Sequence, residues 1–276
     1  MFIYTGFADE ISPDLAVQIE EFKRLGIGYI EARGINGRNI ASYSPDEARE
    51  IKKILDENGI KLSALGSPIG KIKITEDFAP ELERFKNILE LAKVFETKYI
   101  RMFSFFIDDN ADAADYRDEV LARWRRYIDA AKGYGVILLH ENEKGIYGNT
   151  WERCLDLHEI LNCEYVKATF DPANFVQCGV DVMKAFEMLE KYIKYIHIKD
   201  AIYATGEVVL SGMGDGCIRE LVARLKAANY NGFVSIEPHL GDFVGYSALQ
   251  HDDETKEASD VKKFTLAFKA LKDIVG

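Results

Sequence analysis

Eight times along this chain a short apolar run is followed by a longer amphipathic segment. No other feature restricts the fold as much, because periods of 2 and 3.6 in strict alternation describe strands that each lead into a helix. The expected strands cover residues 2–7, 28–32, 61–65, 98–103, 136–141, 165–171, 193–198 and 232–237. The expected helices cover 12–25, 44–59, 77–96, 112–132, 150–161, 180–191, 218–229 and 260–274. Ser12-Pro13 predicts a capping hydroxyl ahead of a proline at the first helical position, and Ser44 with Glu47 has the spacing of a capping box. Residues 206–216 form a glycine-rich loop with room for a small hairpin. Alternation of this kind implies a parallel sheet. Eight units in 276 residues, joined by short links, favour an α/β fold with one closed (β/α)8 TIM barrel domain over 1–276. An open doubly wound sheet would want a glycine fingerprint after its first strand, and GFADEIS offers a single glycine there.

In such a barrel the chemistry gathers where strands end. The run VILLHENEKG stops at Glu141, FDPAN at Asp171, YIHIKD at His197 and VSIEPH at Glu237. A carboxylate closing a buried strand is costly unless a cation, an arginine or a reaction needs it. Side chains alternate along a strand, so Leu139 and Glu141, Thr169 and Asp171, Tyr195 and His197, and Ser235 and Glu237 share faces. If those faces line the barrel interior, three carboxylates and one imidazole converge on one divalent metal ion. Mn²⁺, Mg²⁺, Co²⁺ and Zn²⁺ all suit such a donor set.

HENEKG, FDPANF, YIHIKD and VSIEPH in that order, with GSPIGK and the GMGDG loop, resemble the xylose isomerase-like barrel superfamily over nearly the whole chain. The similarity is to its sugar phosphate isomerase/epimerase group, which spans ketose 3-epimerases, hydroxypyruvate isomerases, inosose dehydratases and, more distantly, endonuclease IV. The resemblance implies that Glu141, Asp171, His197 and Glu237 ligate the metal and that Glu141 and Glu237 are also the catalytic acid/base pair. It implies too that the molecule associates as a dimer or tetramer, though nothing in the sequence fixes an interface. Two positions depart from the ketose epimerases. Asn174 stands where they carry a histidine, and Tyr203 where they carry an arginine.

Further candidates surround these four. Lys199 projects to the same side as His197 and is placed to hold a substrate oxygen or to pair with a carboxylate. Asn174 retains an amide able to bond a substrate hydroxyl. Arg101, closing its strand in IRMFS, either fixes substrate or orients Glu141. Lys71 in GSPIGK reaches a substrate's far end or remains a solvated loop lysine, and His239 divides between substrate contact and loop packing. Glu31 and Arg33 are expected to pair with each other or with Arg101. His140 should turn away from Glu141 and be buried. Phe7, Phe103, Phe105 and Trp151 are candidates for an apolar wall.

The chain has 35 basic and 46 acidic residues and a net charge of -11, which disfavours nucleic acid. Five histidines, few of them at strand ends, are too few for the three-metal cluster of an endonuclease IV. The start, MFIYTGFADE, lacks the basic and apolar regions of a signal peptide, and no apolar run is long enough to span a membrane, so a cytoplasmic setting is expected. Cys154, Cys163, Cys178 and Cys217 form no CxxC pair and are expected as free thiols. The reading is a metal-dependent isomerase or epimerase of a small sugar or hydroxy-keto compound, working through an enediolate. An inosose-type dehydratase on the same site is the alternative, and a non-catalytic sugar-binding barrel a third.

Overall fold

The computed structural model describes residues 2–241 and 259–276. His251, one of the five histidines, lies outside them. Eight parallel strands form a nearly closed barrel: β1 (Ile3–Gly6), β2 (Tyr29–Ala32), β3 (Lys61–Leu65), β4 (Tyr99–Met102), β5 (Ile137–Glu141), β6 (Val166–Phe170), β7 (Ile193–Ile198) and β8 (Phe233–Ile236). Hydrogen-bonded neighbours run in the order β1-β8-β7-β6-β5-β4-β3-β2. The two ends of that order meet where Thr5 Oγ1 donates to Tyr29 O at 3.1 Å.

Nine helices are described: α1 (Leu15–Leu25), α2 (Pro45–Glu57), α3 (Phe78–Val94), α4 (Arg117–Ala131), α5 (Trp151–Leu161), α6 (Pro172–Gln177), α7 (Val182–Leu189), α8 (Ile218–Ala227) and α9 (Val261–Val275). Their apolar faces and the outward faces of the strands make the main core, in which Trp124, Tyr127, Phe85 and Phe186 are fully buried. The barrel interior is a separate small cluster of Ala64, Tyr99, Leu139 and Tyr195, with Ile137 and Phe233 against it. Inward positions alternate with outward ones, and this delivers Glu141, Asp171, His197 and Glu237 to the same end.

Local signals set most boundaries. The capping box of α2 forms as expected, Ser44 Oγ accepting from Glu47 N and Glu47 accepting from Ser44 N. The expected cap of α1 is corrected. Asp14, not Ser12, caps it, accepting from Ala16 N at 2.7 Å, and Pro13 lies ahead of the helix. The cause is tertiary. A hairpin of Gly34–Ile35 with Arg38–Asn39 brings Asn36 Oδ1 to Leu15 N at 3.1 Å, and Gln18 donates from the helix to Ser12 O and Gly34 O. The glycine-rich loop begins with the hairpin of Asp200–Ala201 and Val208–Val209.

Candidate metal centre

Each carboxylate at the barrel mouth is aimed by its own strand end. Asp171 follows β6 and is also the N-cap of α6: its Oδ1 accepts from Asn174 N at 2.9 Å, which leaves Oδ2 for the cup. Asn142, next to Glu141, ties the ends of β5 and β6 together. Its amide donates to Asp171 O at 2.8 Å and accepts from Asp171 N at 3.0 Å. Sequence reasoning gave Asn142 no role, because its partners are backbone atoms 29 positions away.

One donor atom from each of Glu141, Asp171, His197 and Glu237 lies within 4.8 Å of the others, and all four residues are buried. Nδ1 of His197 stands 2.9 Å from Glu141 Oε1, 3.0 Å from Glu237 Oε2 and 3.9 Å from Asp171 Oδ2. A single N–H has one hydrogen to share among these acceptors. Glu141 Oε2, Asp171 Oδ2 and Glu237 Oε2 are buried without a hydrogen bond, though cationic groups stand near them: Arg101 Nη1 3.4 Å from Glu141 Oε2, Lys199 Nζ 3.1 Å from Asp171 Oδ2 and His197 Nδ1 3.0 Å from Glu237 Oε2. Buried carboxylate oxygens that make no hydrogen bond are expensive. An oxygen-rich set with one imidazole and no thiolate fits a hard or borderline divalent cation.

The electrostatics follow from crowding. Burial pushes the Asp171 carboxyl up to about 7; Lys199 and His197 oppose that push, while Glu237 and Glu141 reinforce it. Burial also works against ionisation of Glu237, but Lys199, His239 and His197 outweigh it and hold that carboxyl well below the usual range. His197 is driven well above its ordinary value: burial disfavours the cation, and Glu141, Glu31 and Glu237 more than compensate.

The surrounding candidates are all near the cup. Lys199 Nζ lies 3.8 Å from Glu237 Oε2 besides its contact with Asp171. Arg101 Nη1 is 3.4 Å from Glu141 Oε2 while Nη2 donates to Gly66 O, an arrangement that orients Glu141. Lys71 is no solvated loop lysine. It is buried in an ion pair with Glu143 at 2.9 Å, over the Phe103 ring. Asn174 donates to Asn142 O, and its side-chain oxygen is buried without a hydrogen bond. His239, held in the left-handed region at φ 45°, puts Nε2 3.1 Å from Glu237 Oε1 and accepts no exposed position.

Two expectations need revision. Arg33 pairs neither with Glu31 nor with Arg101. It grips Asp9 through two nitrogens and reaches Glu10, Glu237 and His239. Glu31 turns to His197. The short helical turn Ala8–Glu10, unmarked in the sequence, is what places Asp9 and Glu10 under Arg33. Of the aromatics, Phe7 packs edge-on against His197, whereas Phe105 faces Tyr127 and Phe78 away from the cup. His140 points outward as expected, hydrogen-bonded to Ser104 and packed on Trp124. Tyr203 is half exposed and its hydroxyl donates to Val180 O.

Comparison with known proteins agrees with this architecture. The family described as Xylose isomerase-like TIM barrel matches residues 19–263. The chain is similar to a 2-epi-5-epi-valiolone 7-phosphate 2-epimerase of Actinoplanes sp., 25% identical over 195 residues, covering 70% of each chain. It is also similar to a 3-dehydroshikimate dehydratase of Bacillus anthracis, 21% identical over 179 residues, covering 63% of this chain and 62% of that one. Among solved structures, an IOLI protein with a bound zinc atom superposes with a TM-score of 0.77 at 18% identity, covering 99% of this chain and 98% of that one. That last likeness is one of fold. Among the described residues no helix is long and apolar enough to cross a membrane. The matched span of 245 residues (19 to 263), together with the eight-stranded barrel, shows that the chain belongs to the xylose isomerase-like TIM barrel family.

Proposed function

We propose that the chain is a divalent-metal-dependent isomerase or epimerase of a small sugar or hydroxy-keto compound. The observation that carries this reading is the placement of Glu141 and Glu237 at 2.9 and 3.0 Å from one imidazole nitrogen, each with a buried oxygen that makes no hydrogen bond. Glu141, Asp171, His197 and Glu237 would hold the ion, whether Mn²⁺, Mg²⁺, Co²⁺ or Zn²⁺. When bound, such an ion polarises a carbonyl and its neighbouring hydroxyl and so acidifies the intervening C–H.

The rest falls to the protein. One of the two glutamates takes the proton from the carbon beside the carbonyl, and the other returns a proton to the enediolate. Return to the opposite face of the same carbon gives the epimer, and return to the neighbouring carbon the isomer. Lys199 is placed to stabilise charge on a substrate oxygen while keeping the carboxylates ionised. The free oxygen of Asn174 would accept a substrate hydroxyl. Arg101 and His239 would steady substrate and the two glutamates together, and the Lys71–Glu143 pair would bound the far end of the cup. Phe7, packed on His197, excludes water from the reacting face.

The test is turnover of a panel of ketoses, cyclitol ketones and their phosphates in deuterated water. Deuterium appearing on the carbon next to the carbonyl, in a product of unchanged composition, supports isomerisation or epimerisation. A product lighter by one water makes it a dehydratase. Metal binding with no exchange on any compound makes it a binding protein.

A further inference from the structure

A further buried carboxylate reaches the imidazole of the centre from β2, a strand that carries none of the four candidate ligands. Glu31, near the end of β2, is buried, and both of its carboxylate oxygens lie 3.2 Å from His197 Nε2. Ser235 Oγ donates to Glu31 Oε2 at 2.6 Å. The strand pairing beside it is irregular. Between Ile30 and Glu31 the register with β3 slips by one residue, so that Ile30 faces Leu62 and Glu31 faces Ala64. The residue passed over, Ser63, is taken up inside the barrel, where its hydroxyl meets Thr5 Oγ1 at 2.7 Å and the Tyr195 hydroxyl at 2.9 Å. A polar floor therefore sits under Glu31 instead of hydrocarbon. Phe7 and Tyr195 also pack against the His197 ring at near-perpendicular angles, with ring centres 5.3 and 5.8 Å away.

We propose that Glu31 is a positioning residue of the metal centre: its carboxylate takes the Nε2–H of His197 and so commits Nδ1 to the cation. A buried carboxylate with no partner would be costly, yet this one touches none of the other candidate ligands, so its work is done on the ring. An imidazole has two nitrogens, and the hydrogen bond made by one decides which is left to bind a metal. A carboxylate in that place also makes the opposite nitrogen a better donor. The inference rests on the metal reading above.

The experiment is metal titration of the full chain with Zn²⁺ against a chelating dye, for the wild type, Glu31→Gln and Ser235→Ala, with ¹⁵N-histidine NMR of the zinc-loaded wild type. His197→Gln assigns the His197 signals. Wild-type binding, a loss of about 10–100-fold in Glu31→Gln, and a smaller loss in Ser235→Ala are expected. The spectrum should show Nε2 protonated and Nδ1 shifted by metal. Equal affinity in the wild type and Glu31→Gln, or zinc on Nε2, overturns the inference and leaves the metal reading standing. A wild type that binds no zinc overturns both. Should Glu31→Gln fail to fold, the Ser235→Ala titration and the wild-type spectrum decide the matter.

Discussion

Lys199 places its ammonium 3.1 Å from Asp171 Oδ2, inside the ring of residues that would hold the metal. A buried lysine there serves two ends. It neutralises a carboxylate that burial would otherwise keep protonated, and it competes with a cation for the same oxygen. Replacing it with methionine should tighten metal binding on the order of tenfold, through lost repulsion, while turnover falls. Metal titration beside the deuterium-exchange assay measures both, and a parallel loss of affinity and turnover would contradict the assignment.

Glu141→Gln and Glu237→Gln remove a proton acceptor each with little change in volume. Turnover should drop by about 10²–10⁴-fold in either variant, with the fold retained by circular dichroism. Full activity in both would defeat the acid/base pair. Asp171→Ala should lose metal before anything else, although it also uncaps α6.

Asp200 anchors the glycine-rich loop. Its carboxylate accepts from the backbone N–H of Ala201, Gly212, Gly214 and Gly216, at 3.0, 2.7, 3.0 and 2.8 Å. Asp200→Ala leaves those donors without an acceptor and should cost roughly 3–5 kcal/mol in urea unfolding. Gly214→Ala should be nearly as harmful, since an added Cβ would lie 2.5 Å from Ala201 O and from Asp200 Oδ1. A neutral effect of both would mean that the loop is held elsewhere.

His158, buried on α5, stacks on Tyr192 with 4.7 Å between ring centres. Burial drives it far below the ordinary histidine value, with His140 and Lys167 adding to the effect. The unfolded chain therefore binds a proton near pH 6.5 that the folded chain refuses. Stability contributed by the neutral ring is present above that pH and is lost as pH falls below it, at up to about 1.4 kcal/mol per unit. Urea midpoints measured from about pH 7 to pH 5 should fall less steeply in His158→Phe than in the wild type. Identical slopes would place the acid sensitivity on other groups.

The strand-ending residues were legible in sequence because alternation is local: once Leu139 faces inward, Glu141 does too. The convergence of Glu141, Asp171, His197 and Glu237 then follows from closing the sheet. The cap of α1 was misread for the opposite reason. Ser12 satisfies the local rule, but Asn36, in the Asn36-Gly37 turn of a hairpin between the expected second strand and second helix, takes the first N–H of the helix.

Sequence alone thus determined the eight-unit barrel and the identity of the four converging side chains, since both depend on periods of a few residues. Only the tertiary structure decided the pairings: Glu31 with His197, Arg33 with Asp9 and Glu10, Lys71 with Glu143. A charged side chain in a water-excluded cup binds whatever opposite charge the closed barrel brings within about 3 Å. Beside Glu31 the pairing of two strands also slips by one residue, which leaves no mark in composition or periodicity.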